Sequence, residues 1–313
     1  MLKQAWYDKA TICGVVVTYF PDGSVVENVH SLLSQVGRVF VIDNGTQGPN
    51  AQYLKSLSRL SGVVVWCNDN NLGIAAALNI GVKWASTNDY QWVVTMDQDS
   101  RVTRNMLQLM FEAYTMYPDK DRVAIIAPRY RDQTRNLLIT FADKPFRNEI
   151  YGEILTTMTS GNLIKLTIFS HVGLYNEDLF IDLVDTEFCL RCGKKGYVVL
   201  ECESAVLDHN LGYPTHHKVL WKKVTVGNYP PIRRYYMARN RVWLYRHYVT
   251  SHPRWIAMDI VNSVRENVGV LLFEQDRRKK MLAMLRGVYH GIIGKLGPSI
   301  RARYTTVMNP NAP

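Results

Sequence analysis

Two hydrophobic periods alternate along the first 130 residues, and this alternation limits the fold more than any other feature of the chain. "TICGVVVTYF" (11–20), "RVFVIDN" (38–44), "GVVVWCND" (62–69), "QWVVTMD" (91–97) and "RVAIIAP" (122–128) are strand-like apolar runs. "SVVENVHSLLSQ" (24–35), "LGIAAALNIGVKWA" (72–85) and "RNMLQLMFEAYTMY" (104–117) repeat apolar residues at helical intervals. Ser24 and Glu27 open the first of these helices at capping-box spacing. Continuous apolar strands separated by helices predict an α/β fold with a mostly parallel sheet covered on both faces. Ligands of such sheets bind beyond the carboxyl ends of the strands.

The strand ends are therefore informative. They read Thr18-Tyr19, Asp43-Asn44-Gly45, Asn68 to Gly73, and Asp97-Gln98-Asp99. Two aspartates one residue apart, on a turn after a buried strand, can share Mg²⁺ or Mn²⁺ and the diphosphate oxygens it carries. A solvated turn is the competing reading. Asp43 can accept from a nucleobase imide or a ribose hydroxyl, or it can organise an Asx-turn in "DNGT". Neither GxGxxG after the first strand nor GxxxxGK[ST] occurs, so a nucleotide must be held in some other way.

The pattern changes after residue 150. "EILTTMTSGNLIKL" (153–166) reads as a strand, a glycine turn and a short apolar stretch. "LFIDLVDTEFCLRCGKKGY" (179–197) reads as becoming a helix that stops near Gly193 or Gly196, and "YVVLEC" (197–202) as a strand. Its acids, Asp182, Asp185 and Glu187, lie among apolar residues. Partial burial there would raise a carboxylate's pKa toward that of a general base. A charged helix N-terminus is the plainer alternative. "CLRC" (189–192) has no second Cys/His pair at finger-like distance, so it predicts buried cysteines and not zinc. "RRYYMARNR" (233–241) could grip phosphates or form a solvated helix. From 251 to 296 the period is helical, with Met281, Leu285, Val288, Tyr289, Ile292 and Leu296 on one stripe.

Charge is divided unevenly. Residues 213 to 313 carry 18 Lys+Arg against 4 Asp+Glu, a balance of +14, while residues 1 to 212 balance at −4. The basic part needs an anionic partner: nucleic acid, lipid headgroups or a diphosphate. Five cysteines without a framework fit a reducing compartment. No window reads as a membrane span and the N-terminus lacks a signal-peptide layout, so a cytoplasmic protein is expected.

Eight stretches together resemble the family 2 glycosyltransferases of the GT-A fold, and within them the bacterial dTDP-rhamnosyltransferase branch. They are "VVVTYFPD" (15–22), "VFVIDNG" (39–45), "NNLGIAAALNIG" (70–81), "VVTMDQDS" (93–100), "TSGNLI" (159–164), "LFIDLVDTEFCLR" (179–191), "HNLG" (209–212) and "YYMARNR" (235–241). The resemblance implies a Rossmann-like GT-A catalytic domain over 1–250 and a basic amphipathic helical extension over 251–313. It implies that Asp97 and Asp99 form the DxD motif for a divalent metal and the donor diphosphate, with His209 beside the metal. Asp43 would contact the nucleobase, Thr18 and Tyr19 would line its pocket, and Asn71 and Gly73 would lie near the nucleotide. Arg239 and Arg241 would close over the diphosphate. Asp185 aligns with the family's general base, although Val184 stands where the motif has a Glu, which leaves Asp182 as a rival.

The activity implied is inverting transfer of a sugar, L-rhamnose from dTDP-β-L-rhamnose, to a saccharide or polyprenyl-diphosphate-linked acceptor. The pathway implied is bacterial cell-surface polysaccharide synthesis. The basic C-terminal helices suggest peripheral docking on the inner face of the membrane, or a packing or homo-oligomer interface; no nucleic-acid partner is expected. Two other classes compete. A non-catalytic basic binding protein would leave the acids at the strand ends unexplained. A sugar nucleotidyltransferase would carry a glycine-rich N-terminal loop, which "VVVTYFPDGS" does not match.

Overall fold

The computed structural model describes residues 7–132, 137–141, 150–210, 215–219 and 222–299. These residues form two compact units. One takes the chain up to Glu177 together with Val184–Asn210; the other takes Asp178–Leu183 and the described chain beyond Asn210.

The first unit holds β1 (Ile12–Thr18), β2 (Arg38–Asp43), β3 (Val63–Cys67), β4 (Trp92–Asp97), β5 (Ser100–Val102) and β6 (Val123–Asp132). It continues with β7 (Leu137–Ile139), β8 (Tyr151–Ile154), β9 (Asn162–Lys165) and β10 (Val198–His209). Its helices are α1 (Ser24–Leu33), α2 (Ala51–Leu57), α3 (Ile74–Thr87), α4 (Met106–Met116), α5 (Leu166–Val172) and α6 (Val184–Lys194). All ten strands join one sheet, with main order β3-β2-β1-β4-β9-β6-β10-β5. The half from β3 to β4 is parallel, as the alternation predicts. The other half is mixed: β9 runs antiparallel to both β4 and β6, β10 parallel to β6, and β5 antiparallel to β10. The whole is an α/β sheet flanked by helices.

Burial on both faces explains the unbroken apolar runs. Every residue of β1 is buried, and five of the six in β2. Helix α3 presents Ala75, Ala77, Leu78, Gly81, Val82 and Ala85 to the sheet. A Cβ on Gly81 would stand 2.3 Å from Val15 Cγ1, so the small-residue face lets the helix backbone seat on β1. The capping box expected at Ser24 does not form. Ser24 is already inside α1, and its N–H and hydroxyl both donate to Asp22, which does the work of a cap from two residues upstream.

The second unit contains the hairpin β11 (Thr215–Val219) and β12 (Lys222–Val226), then α7 (Pro231–Tyr248), α8 (Pro253–Phe273) and α9 (Arg277–Ile292). Helix α7 is not a solvated helix. Arg234, Tyr236, Arg239 and Asn240 on it are 0–2% exposed. Segment Asp178–Leu183 lies against it in a left-handed backbone, with φ of +65° at Phe180, +64° at Asp182 and +61° at Leu183. Each such residue costs about 1–3 kcal/mol unless its surroundings impose it. Here they do. The Asn240 amide donates to the carbonyls of Leu179, Ile181 and Asp182 at 2.8–3.0 Å, and Phe180 stacks on Tyr236. The helix expected within 179–197 therefore begins at Val184.

Candidate functional site

The carboxyl ends of the parallel strands finish nearly level. Thr18 is in register with Asp43, and Val17 with Asp97. Strand β4 ends at Asp97, Gln98 and Asp99 make the turn, and β5 starts at Ser100. In the antiparallel pair β5–β10, Ser100 stands opposite His209. A residue more than a hundred positions later is thus delivered to the DxD turn. Asp97, Asp99 and His209 each offer a ligand atom, all within 4.8 Å of one another. Among the described residues this is the one such group, and Cys189 and Cys192 belong to none.

Hydroxyls hold the group in place. The Asp97 N–H donates to Ser160 Oγ at 3.1 Å, and Ser160 Oγ donates to Ser100 Oγ at 2.7 Å. Ser100 Oγ is 2.7 Å from His209 Nδ1, which is 3.6 Å from Asp99 Oδ1. Gln98 fixes the turn from its other side. Its Oε1 accepts the Tyr19 N–H at 2.8 Å, and its carbonyl accepts from Asn28 Nδ2. Beneath the site, the buried Tyr130 hydroxyl donates to the carbonyls of Met158 and Ser160 and pairs with Thr157. Burial pushes this phenol far up despite the Thr157 hydrogen bond, and the charges of Asp185 and Asp97 both add to the shift. It stays a donor at any working pH. The same phenol thus registers both the DxD acid and Asp185.

Asp185 is the second residue of α6, with Oδ1 2.7 Å from the Thr186 N–H. Glu187 is spoken for: it is 2% exposed and forms a bidentate pair with Arg191, which also donates to the Val172 and Leu174 carbonyls. Asp182 belongs to the other unit, where Oδ1 accepts from Arg233 Nε at 2.9 Å and Oδ2 is buried without a hydrogen-bond partner. Burial raises its pKa against the pull of Arg233.

The remaining sequence candidates separate. Asp43 accepts from the Thr18 and Thr46 hydroxyls and from the Gly45 and Thr46 N–H groups. Its lone pairs serve the turn, which is the Asx-turn reading of "DNGT". Asn71 Oδ1 accepts the Gly73 N–H, and the Gly73 carbonyl accepts from Asn44 Nδ2, so these residues shape the entry to α3. Arg239 and Arg241 lie in the second unit. Arg239 is fully buried, and its donors go to Asn240 and to the carbonyls of Asp178, Leu179 and Gly297. Arg241 is occupied by Asp259, Ser263 and Glu266. Both guanidiniums are thus hydrogen-bonded within the second unit.

Ser100, Ser160, Tyr130 and Gln98 are site residues that sequence reasoning missed. Ser100 and Ser160 stood inside recognised stretches, but a serine carries no period or charge to mark it out.

The donor set fits a hard divalent ion: two carboxylates with one imidazole, as Mn²⁺ accepts, in a pocket open on the Asp99 side, where the side chain is 46% exposed. Comparison with known proteins agrees with this geometry. The chain is similar to dTDP-rhamnosyl transferase RfbF of Shigella flexneri, at 27% identity over 91% of this chain and 97% of the relative. Among solved structures it superposes on GalNAc-T7 with UDP, GalNAc and Mn²⁺, with TM-score 0.55 and 17% identity, covering 75% of this chain and 48% of that one. It also superposes on S. aureus TarS 1–349, with TM-score 0.55 and 13% identity, covering 90% and 80%. These two likenesses establish the fold. The model of glycosyl transferase family 2 matches residues 14–178, more than half of the chain, from within β1 through the DxD turn. This chain is a family 2 glycosyltransferase.

Proposed function

We propose that the enzyme transfers L-rhamnose from dTDP-β-L-rhamnose, with inversion, to a hydroxyl of a lipid-linked saccharide acceptor in bacterial surface-polysaccharide synthesis. The observation that carries a nucleotide-sugar reaction is the convergence of Asp97, Asp99 and His209 at the end of β4. The choice of sugar is supported by similarity to a dTDP-rhamnosyl transferase over nearly the full length of both chains.

Asp97, Asp99 and His209 would hold a divalent ion, which when bound supplies charge stabilisation to a departing diphosphate. The chain's own groups do the rest. Tyr19, Asn71 and Gly73 border the strand ends where the nucleotide end of the donor would lie, and Asp43 and Thr18 keep that pocket in shape. Asp185 takes the acceptor hydroxyl's proton as that oxygen attacks the anomeric carbon in line with the leaving group. It is preferred to Asp182 because the Asp182 carboxylate is tied to Arg233.

The test is a panel of nucleotide sugars with purified protein, saccharide acceptors, and Mn²⁺ or EDTA, read as nucleoside diphosphate release. Metal-dependent dTDP release from dTDP-L-rhamnose above all other donors is expected. Preference for a UDP- or GDP-sugar would overturn the donor assignment, and equal turnover in EDTA would remove the metal.

A further inference from the structure

Helices α8 and α9 leave an apolar surface uncovered. On α8 the inward residues are those paired with α7: Asp259 takes Arg241 and Tyr245, and Glu266 takes Arg234. The opposite side carries Met258, Val261, Val264, Val268 and Leu272, each 48–60% exposed. On α9, Lys280, Met284, Gly287 and His290 are buried, whereas Leu282, Leu285, Tyr289 and Ile292 are 57–68% exposed. Between the three helices, a cleft of about 180 Å³ is lined by Ile260 and Val264 from α8, Met284 and Val288 from α9, and Met237, Arg241 and Val242 from α7. Leu285, Val288, Tyr289 and Ile292 of the apolar stripe are exposed.

Charge decides what this face meets. The acids from α8 to α9 are Asp259, Glu266, Glu274 and Asp276. Each is neutralised by a cation of this chain: Arg241, Arg234, Lys280 and Lys279 respectively. The exposed cations Arg254, Arg265, Arg278, Arg286 and Lys295 have no acid of these helices left to balance them. A second copy seated on this face would bring the same cations against these. An anionic lipid surface complements both features, since the apolar side chains enter the acyl boundary while the cations meet headgroups. No described helix is long and apolar enough to cross a membrane, so the contact is with one leaflet. We infer that the exposed face of α8 and α9 is a docking surface for an anionic bilayer.

This inference does not depend on the donor or acceptor proposed above. The experiment is co-sedimentation of the full chain with vesicles of phosphatidylcholine, alone or with phosphatidylglycerol. Binding to the mixed vesicles that falls steeply with salt, and little binding to phosphatidylcholine alone, is expected. Arg278→Gln and Arg286→Gln should each weaken partitioning by about fivefold. The double variant Val264→Ser/Leu285→Ser, altered only at exposed positions, should bind at least tenfold more weakly while its metal-dependent donor turnover in solution is unchanged. Absence of binding to anionic vesicles, or binding that these variants leave intact, would overturn the proposal. So would a dimer in solution that the double variant dissociates, because a second copy would then own the face.

Discussion

Replacing Ser100 by alanine tests whether the hydroxyl string sets the candidate metal group. Ser100 is 1% exposed, and its Oγ lies 2.7 Å from both His209 Nδ1 and Ser160 Oγ. The substitution removes one small atom, leaves every proposed ligand in place, and faces His209 Nδ1 with a methyl group. An orienting partner behind a metal ligand typically changes metal affinity by about 10–100-fold. At about 1.4 kcal/mol per decade that is about 1.4–2.7 kcal/mol. The Ser160 hydroxyl also loses its buried acceptor, which costs about 1–3 kcal/mol of stability. For a unit of this size each kcal/mol lowers the melting temperature by about 2–4 °C. The assay is Mn²⁺ titration followed by the electron paramagnetic resonance signal of free Mn²⁺, with thermal melts alongside. The expected result is a lowered melting temperature together with a dissociation constant raised at least tenfold. If the melting temperature falls while the Mn²⁺ dissociation constant stays within twofold of wild type, the string supports the fold but not the ligand, and the reasoning fails.

Three further outcomes are expected. Asp185→Asn should lower kcat by about 10²–10⁴ with Mn²⁺ affinity unchanged, whereas Asp182→Asn should lower it by less than tenfold; the reverse order in initial rates would transfer the base to Asp182. Gly81→Ala gains about 1 kcal/mol of helix propensity but drives a methyl into Val15, at a cost of about 1–3 kcal/mol, so urea titration should show a net loss. Burial pushes the Glu274 pKa up, but Lys280 and Arg234 outweigh it and hold the carboxyl below its usual value. A depressed folded pKa stabilises fully above the unfolded glutamate value of about 4.3 and is lost as pH falls through the folded value. Urea titrations from pH 7 to 3 should show this loss in the wild type. Glu274→Gln should lack it and be about 3–5 kcal/mol weaker at pH 7 because buried Lys280 loses its carboxylate and Arg234 keeps only Glu266.

The parallel half of the sheet was legible in the sequence because its strands are buried on both faces and their helices are strongly periodic. Asp97 and Asp99 were legible for a related reason: a charge at the end of a buried run stands out. What escaped depends on pairing between distant segments. Strand β10 runs on to His209, well past the apolar "YVVLEC" stretch, because it pairs with β6, β8 and β5 in turn. Nothing local announces β9 entering antiparallel beside β4. In α7 the arginines read as phosphate-binding or solvated side chains. Their burial is set by partners elsewhere in the chain: the carbonyls of 178, 179 and 297 for Arg239, and Glu266 and Glu274 for Arg234. Asp182 and Asp185 looked equivalent as acids among apolar residues. They differ because the first lies in a left-handed segment clamped by Asn240 and Arg233, and the second starts a helix.

The DxD turn also reports on the curvature of the sheet. Along the order of strands, β4 and β5 are separated by β9, β6 and β10, which makes four inter-strand steps. In a flat sheet four steps of about 4.8 Å would place them about 19 Å apart. Yet only Gln98 and Asp99 lie between Asp97 and Ser100, and three peptide units reach about 11 Å at full stretch. The sheet must therefore curl until its last strand comes back toward the end of β4. The hydrogen bond from Ser160 to Ser100 and the Asp97 N–H to Ser160 close that curl. The two aspartates are thus not on a loose loop. They sit on a strap anchored in the sheet at both ends, with Gln98 pinned to Tyr19 between them. A site whose ligands come from strand ends rather than from a free loop keeps its geometry before any ligand arrives, which is what stabilising a developing charge requires.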